Sequence, residues 1–455
     1  MKSPAPSHVS TTNPCKLCTP LGAALAFHGI EGAVCLLHGS QGCSTYIRRY
    51  LISHFKEPLD VASTNFSEHS AVFGGRENFL NAVRNLNQQY HPALVGVATT
   101  CLAETMGEDL SLYLHELRHA PDAAELSAVV PVSTAAYKGT HADGFHDTVR
   151  ALVEQLAQPD SAEPGPGVLL FAPMVSPADL RAMKGWLAAF GLAGTLVPDW
   201  SDTLDGGPWE EYQALPPGGT PLATLRSSPR AASWIEMGRV LAGAQATAGT
   251  VLQNRFGVAG HRIGWPLGVR ESDHFFALLS ELSGHPVPAE IRADRARLID
   301  GLVDGHKVVS GLKVAVYGEE DLVVSLAVFL AEMGAKVVAA ATGGMTKRLN
   351  AALEAALAPE FLEGLEVFDD SDFFDLEQGL VGREVDLLLG ASKGYKLARA
   401  RGVPLVRVGF PVHDRFGGAR IRLLGYAGAH DLFNSIVNAV LEHRQEENPV
   451  GYTYF

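Results

Sequence analysis

Short, nearly continuous apolar runs alternate with helical stretches along this 455-residue chain, and that alternation restricts its fold more than any other feature. Val168-Leu169-Leu170-Phe171-Ala172-Pro173 reads as a buried strand, Pro177 to Phe190 as a helix, and Gly194-Thr195-Leu196-Val197-Pro198-Asp199 as a returning strand. The pattern recurs at Leu312 to Gly318, a helix near Asp321 to Met333, and Lys336 to Gly343, and extends through Val385 to Gly390 and Pro404 to Phe410. Nearer the start, Val34 to Gly39, Asp60 to Thr64 and Ala93 to Thr100 read as further strands. Strands apolar on both faces belong to parallel sheets covered by helices on each side. The expectation is an α/β protein of three Rossmann-like, doubly wound parallel-sheet domains. The Pro- and Gly-rich stretch Gln158 to Gly167 forbids a continuing helix and marks the first boundary, giving domains 1–160, 161–305 and 306–455.

In such sheets ligands sit outside the carboxyl ends of strands, where His38 to Cys43 and Thr99 to Cys101 fall. No GxGxxG or GxxxxGK[ST] is present, so no nucleotide is expected on this chain. Gly343-Gly344-Met345-Thr346-Lys347 reads as a tight strand-to-helix turn whose glycines supply positive φ. No GxSxG elbow or HExxH helix supports a hydrolase. His28, in an apolar stretch, reads as a hydrogen-bonded core histidine, and His413-Asp414-Arg415 as a structural loop trio. A formal charge of −14 opposes nucleic acid or an anionic membrane as partner, and no apolar run reaches the ~18 residues of a span. A cytoplasmic location is expected.

All five cysteines, Cys15, Cys18, Cys35, Cys43 and Cys101, lie in the first 101 residues. Thiolates ligate iron-sulfur clusters and zinc, so this confinement suggests a metal centre; free cysteines also serve as small buried hydrophobes, and the count alone leaves both open. An odd number, a long chain and no charged-then-apolar opening at Met1 to Pro6 argue against a disulfide framework. Cys15-Lys16-Leu17-Cys18 is a lone CxxC without the preceding strand of a thioredoxin motif or the second CxxC of a zinc ribbon.

Taken together, Asn13 to Ala23, His38-Gly39-Ser40-Gln41-Gly42-Cys43, His54 to Pro58, Ala71-Val72-Phe73-Gly74-Gly75, Thr99 to Glu104 and Gly409 to Arg415 resemble the β-type subunits of nitrogenase component 1. That family takes in molybdenum-iron protein β subunits, their vanadium and iron-only relatives, the β-like subunit of the cofactor assembly scaffold, and nitrogenase-like reductases such as methylthio-alkane reductase. The resemblance implies an α₂β₂ assembly in which this chain and an α-type subunit share an iron-sulfur cluster, 8Fe-7S P-type or 4Fe-4S. By motif match Cys18, Cys43 and Cys101 are its ligands here, with family-like separations of 25 and 58 residues. Cys15 and Cys35 receive no role. The family's β-subunit serine that can bind the oxidised cluster is matched by Ala136, which argues against serine ligation.

The resemblance further implies that the α-type subunit holds the substrate-reducing cofactor and that this chain relays electrons from an ATP-hydrolysing iron protein, whose docking surface includes the position of Phe73. The substrate would be dinitrogen or an organosulfur compound. An assembly scaffold is the alternative; many scaffold β-like chains keep only the cysteine matching Cys43. A cofactor-free α/β binding protein is the third possibility.

Overall fold

The computed structural model describes residues 16–160, 162–163, 165–208 and 210–450. Among these, β1 (Ala33–His38), β2 (Val61–Ser63), β3 (Leu94–Thr99) and β4 (Ala128–Val132) form one sheet in the order β2-β1-β3-β4. A second sheet has β5 (Val168–Phe171), β6 (Gly194–Val197), β7 (Ser233–Met237) and β8 (Gly260–Ile263) in the order β6-β5-β7-β8. The third comprises β9 (Lys313–Gly318), β10 (Lys336–Thr342), β11 (Glu366–Phe368), β12 (Leu387–Gly390) and β13 (Leu405–Arg407), ordered β11-β10-β9-β12-β13. Every pairing is parallel. The expected α/β architecture of three Rossmann-like sheets is therefore present.

Both faces of the central strands are buried. On β1, Cys35 and Leu37 enter a core shared by all three sheets, while Val34 and Leu36 enter a separate cluster with Phe79, Val83 and Leu114. The four strands absent from the sequence expectation are β4, β7, β8 and β11. Pro131 lies within β4, an edge strand where a missing N–H is tolerated. Glu236 interrupts the apolar character of β7, and it is buried because Thr247 Oγ1 and Gly249 N donate to it at 2.7 and 3.2 Å. The edges β8 and β11 are short and only partly buried. The Gly343-Gly344 loop also differs from expectation, since neither glycine has positive φ. Gly344 is required for space: a Cβ there would lie 2.4 Å from Glu320 Cδ.

The helices that matter for the site are α1 (Thr19–His28), α2 (Gln41–Phe55), α3 (Glu68–Phe73), α4 (Arg76–Tyr90), α5 (Cys101–Met106), α6 (Leu110–His119) and α7 (His141–Leu156). All ten residues of α1 are buried, as its uniformly apolar and small composition allows. It packs on α7 at backbone distance: a Cβ on Gly22 would lie 1.7 Å from His141 O, and one on Gly144 would lie 2.0 Å from Thr19 O. No helix among the described residues is long and apolar enough to cross a membrane.

Gly144→Ala should force α1 and α7 apart and destabilise the protein by about 3 kcal/mol, the upper range for overpacking a well-filled core. A urea midpoint equal to the parent's would refute this packing.

Candidate functional site

In the first sheet the chain order reverses between β1 and β3, and at such a switch point the loops leaving the two strands diverge and open a crevice. The strands are in register from Ala33 opposite Leu94 to His38 opposite Thr99. His38 leads through Gly39 and Ser40 into α2, whose third residue is Cys43, and Thr99 leads through Thr100 into α5, which opens on Cys101. The two exits are bonded together. Thr100 donates to His38 O from its N at 3.1 Å and its Oγ1 at 3.0 Å. A side chain at Gly39 would have no room, because its Cβ would lie 2.1 Å from Thr100 Oγ1.

Cys18 arrives from another direction, as the N-cap residue of α1. Leu17 N donates to His141 Nδ1 at 3.3 Å, His141 N donates to Leu17 O at 3.0 Å, and Thr19 Oγ1 reaches Ala135 O at 3.4 Å. The loop that holds α1 also reaches the second cysteine helix. Ala136 N donates to Cys101 Sγ at 3.2 Å, and Lys138 Nζ binds Glu104 Oε2 at 2.7 Å. The third sheet completes the frame: Lys393 Nζ donates to Lys16 O at 3.3 Å, and Val412 N donates to His54 Nδ1, at the end of α2, at 3.0 Å.

Cys43 and Cys101 thus leave adjacent strand ends, and Cys18 is near enough for both to bear on it electrostatically. Burial pushes the Cys18 thiol above its ordinary range, and the Cys101 and Cys43 thiols add to the rise, while Lys393 opposes it. Among the described residues no three His, Cys, Asp or Glu side chains converge tightly enough to hold one metal ion. The surroundings offset thiolate charge: Cys18 and Cys43 lie at the positive ends of α1 and α2, and Cys101 accepts an amide hydrogen. These donors fit an iron-sulfur cluster. Around them Tyr46, Leu102, Tyr137 and Tyr395, each within three residues of Cys43, Cys101, Ala136 or Lys393, are exposed.

The other cysteines differ. Cys35 is 1% exposed inside β1, and burial pushes its thiol up to about 12; Cys15 lies outside the described residues. Phe73 is not in this cluster. It ends α3, 75% exposed beside the equally exposed Val72. His28 is buried as expected, but its Nε2 has no partner among the described residues, and burial pushes its imidazole down to about 4, leaving it neutral. Asp414 is structural, held bidentately by Arg407 and bonded by Ser392 Oγ. Four residues around the site escape sequence reasoning: His38, His54, Glu108 and Lys393. His38 and His54 stand inside recognisable motifs, whereas Glu108 and Lys393 carry no local signal.

Residues 18–441 match the family model described as nitrogenase component 1 type oxidoreductase. The chain is 36% identical over 437 residues to the nitrogenase molybdenum-iron protein beta chain of Clostridium pasteurianum, covering 96% of this chain and 94% of that one. It is 34% identical over 448 residues to the nitrogenase iron-molybdenum cofactor biosynthesis protein NifN of Bradyrhizobium diazoefficiens, covering 98% and 92%. Among solved structures, a chain of nitrogenase Cp1 at pH 6.5 superposes with a TM-score of 0.94 at 33% identity, covering 100% of this chain and 98% of that one. A chain of nitrogenase Cp1 at pH 5 shares the fold, with a TM-score of 0.71 at 16% identity over 97% and 92%.

In the metal-free chain, iodoacetamide should modify the exposed Cys43 first, the half-buried Cys18 and Cys101 more slowly, and Cys35 only after denaturation. Peptide mass spectrometry reads the order, and early labelling of Cys35 would contradict its burial.

Proposed function

Because this chain belongs to the nitrogenase component 1 type oxidoreductases, we propose that it is the β-type, electron-relaying subunit of a nitrogenase-like reductase. In this reading Cys18, Cys43 and Cys101 hold one side of an iron-sulfur cluster, 8Fe-7S P-type or 4Fe-4S, shared with an α-type subunit in an α₂β₂ heterotetramer. What supports it is that Cys43 and Cys101 leave adjacent strand ends bonded through Thr100 and His38, and that both bear electrostatically on Cys18, far from them in sequence. When bound, such a cluster accepts and passes on electrons at a potential set by its hydrogen bonds and exposure.

The chain's own residues would do the rest. Ala136 N–H holds Cys101 Sγ, and the α1–α7 contact fixes Cys18. Cys43 is exposed on this chain alone, so the thiol site is open on one side. The apolar rim of Tyr46, Leu102, Tyr137 and Tyr395 is the kind of surface that an α-type subunit would cover, shutting out water. The substrate-reducing cofactor is better placed on the α-type subunit. Where β7, β9 and β10 end, a cavity of about 80 Å³ is lined by Asp143, Asp147, Glu319, Glu320, Asp321 and Arg348. Burial, and after it the neighbouring Asp143, Asp369 and Asp321, push the Glu320 carboxyl up to about 7.

Electrons would come from an ATP-hydrolysing iron protein seated on Val72 and Phe73, the large apolar side chains exposed at the end of α3. The reduced substrate would be dinitrogen or an organosulfur compound. The similarity to NifN favours a second reading, a cofactor assembly scaffold; retention of Cys18 and Cys101 beside Cys43 supports catalysis.

Cys18→Ala, Cys43→Ala and Cys101→Ala should each lower bound iron and weaken association with the α-type subunit, whereas Cys35→Ser should leave the cluster spectrum intact. Iron analysis and low-temperature EPR of anaerobically purified protein decide the matter: full iron in the Cys43 variant rejects the ligand set. Phe73→Ala should retain iron yet slow electron delivery at least tenfold, since anchor truncations commonly cost about 2 kcal/mol. A parental rate in stopped-flow absorbance would remove Phe73 from the docking surface.

A further inference from the structure

One buried carboxylate touches both the exposed apolar tip and the cysteine loops. Glu108 follows α5, the helix that begins at Cys101, and its side chain is only 5% exposed. Gly75 N, two residues beyond Phe73, donates to both of its oxygens, at 2.9 and 3.1 Å. Tyr113 Oη donates to Glu108 Oε2 at 3.1 Å, and His38 Nε2 lies 3.1 Å from the same oxygen.

The protonation states follow from the contacts. His38 Nδ1 is buried with no partner among the described residues, so the ring proton sits on Nε2 and points at Glu108. Burial holds this imidazole below its ordinary range and keeps it neutral. Burial and the adjacent Glu108 push the Tyr113 phenol up to about 12, so it remains a donor. The imidazole is further confined by Phe66 and Phe79, with ring centroids 4.8 and 5.4 Å away in edge-on packing. Gly75 has no slack, because a Cβ there would lie 2.3 Å from the Phe66 ring.

His38 is also the residue from which the Cys43 loop departs, and its carbonyl takes both bonds from Thr100, next to Cys101. A displacement of Gly75 therefore acts through one carboxylate on the stem of the Cys43 loop, and through the Glu108 backbone on the far end of the Cys101 helix. Glu108 N itself donates to Ala103 O at 3.2 Å. We infer that Glu108 is a positioning residue that couples the seating of the electron-donor protein on Val72 and Phe73 to the geometry of the loops bearing Cys43 and Cys101. This rests on the proposed docking role of Phe73. Transmission of this kind runs through a contiguous set of packed and hydrogen-bonded groups, and coupling is its measurable signature.

The test is amide hydrogen exchange on the assembled, iron-loaded complex, with and without the ATP-hydrolysing iron protein held on by a non-hydrolysable ATP analogue. In the parent, docking should change exchange at residues 68–75 and, together with them, at 38–43 and 100–106. In Glu108→Gln, affinity for the iron protein should stay within about twofold of the parent, while the docking-dependent change at 38–43 and 100–106 falls by at least about half. Tyr113→Phe, which removes a donor outside the bridge, should keep that change. Docking that alters only 68–75 in the parent overturns the proposal without any variant, whether or not Glu108→Gln loads iron. So does a Glu108→Gln protein that keeps the full response. Phe73→Ala separates the premises: unchanged affinity there removes the docking surface, whereas weakened affinity with an intact Glu108→Gln response removes Glu108 alone.

Discussion

The parallel register of β1 on β3 is the constraint from which the site follows. Both strands are buried on both faces, with Cys35 and Leu37 on one side of β1 and Val34 and Leu36 on the other. A slip by one residue would exchange those faces and misplace every side chain, each worth about 1.5–3 kcal/mol when fully buried. The register is therefore strongly specified, and it delivers His38 and Thr99 to the same height. Two cysteine loops then leave adjacent strands at the switch point, bonded to each other before either helix begins.

Bringing Cys18 to that point needs a different device. It sits at the end of a wholly buried helix, fixed by glycines that let α1 and α7 touch backbone to backbone. Burial disfavours the Cys18 thiolate and its two neighbours disfavour it further, so the metal-free chain favours protonated sulfur. On this chain Cys43 is exposed, and Tyr46, Leu102, Tyr137 and Tyr395, close to the framing residues in sequence, are exposed too.

The fold was legible where a strand buried on both faces carried an unbroken apolar run. β1, β3, β5, β9, β10 and β12 announce themselves as apolar runs, because a central parallel strand cannot expose either side. β4, β7, β8 and β11 were hidden, since an edge strand can carry Pro131 and a buried strand can carry Glu236 once Thr247 and Gly249 satisfy it. Neither circumstance leaves a local pattern. Of the proposed site, the candidate cysteines Cys18, Cys43 and Cys101 could be named from motifs, whereas the hydrogen bonds that frame them could not.

By itself the sequence determined the class of fold and the family resemblance, because those depend on residue type and short-range spacing. The tertiary structure alone decided that Cys35 is sealed in a strand, that Ala136 offers a backbone amide to Cys101, and that Glu108 ties Gly75 to His38. Those contacts join residues 33 to 70 positions apart. Their geometry is set by how sheets and helices pack around a shared core, and no periodicity in the chain records it.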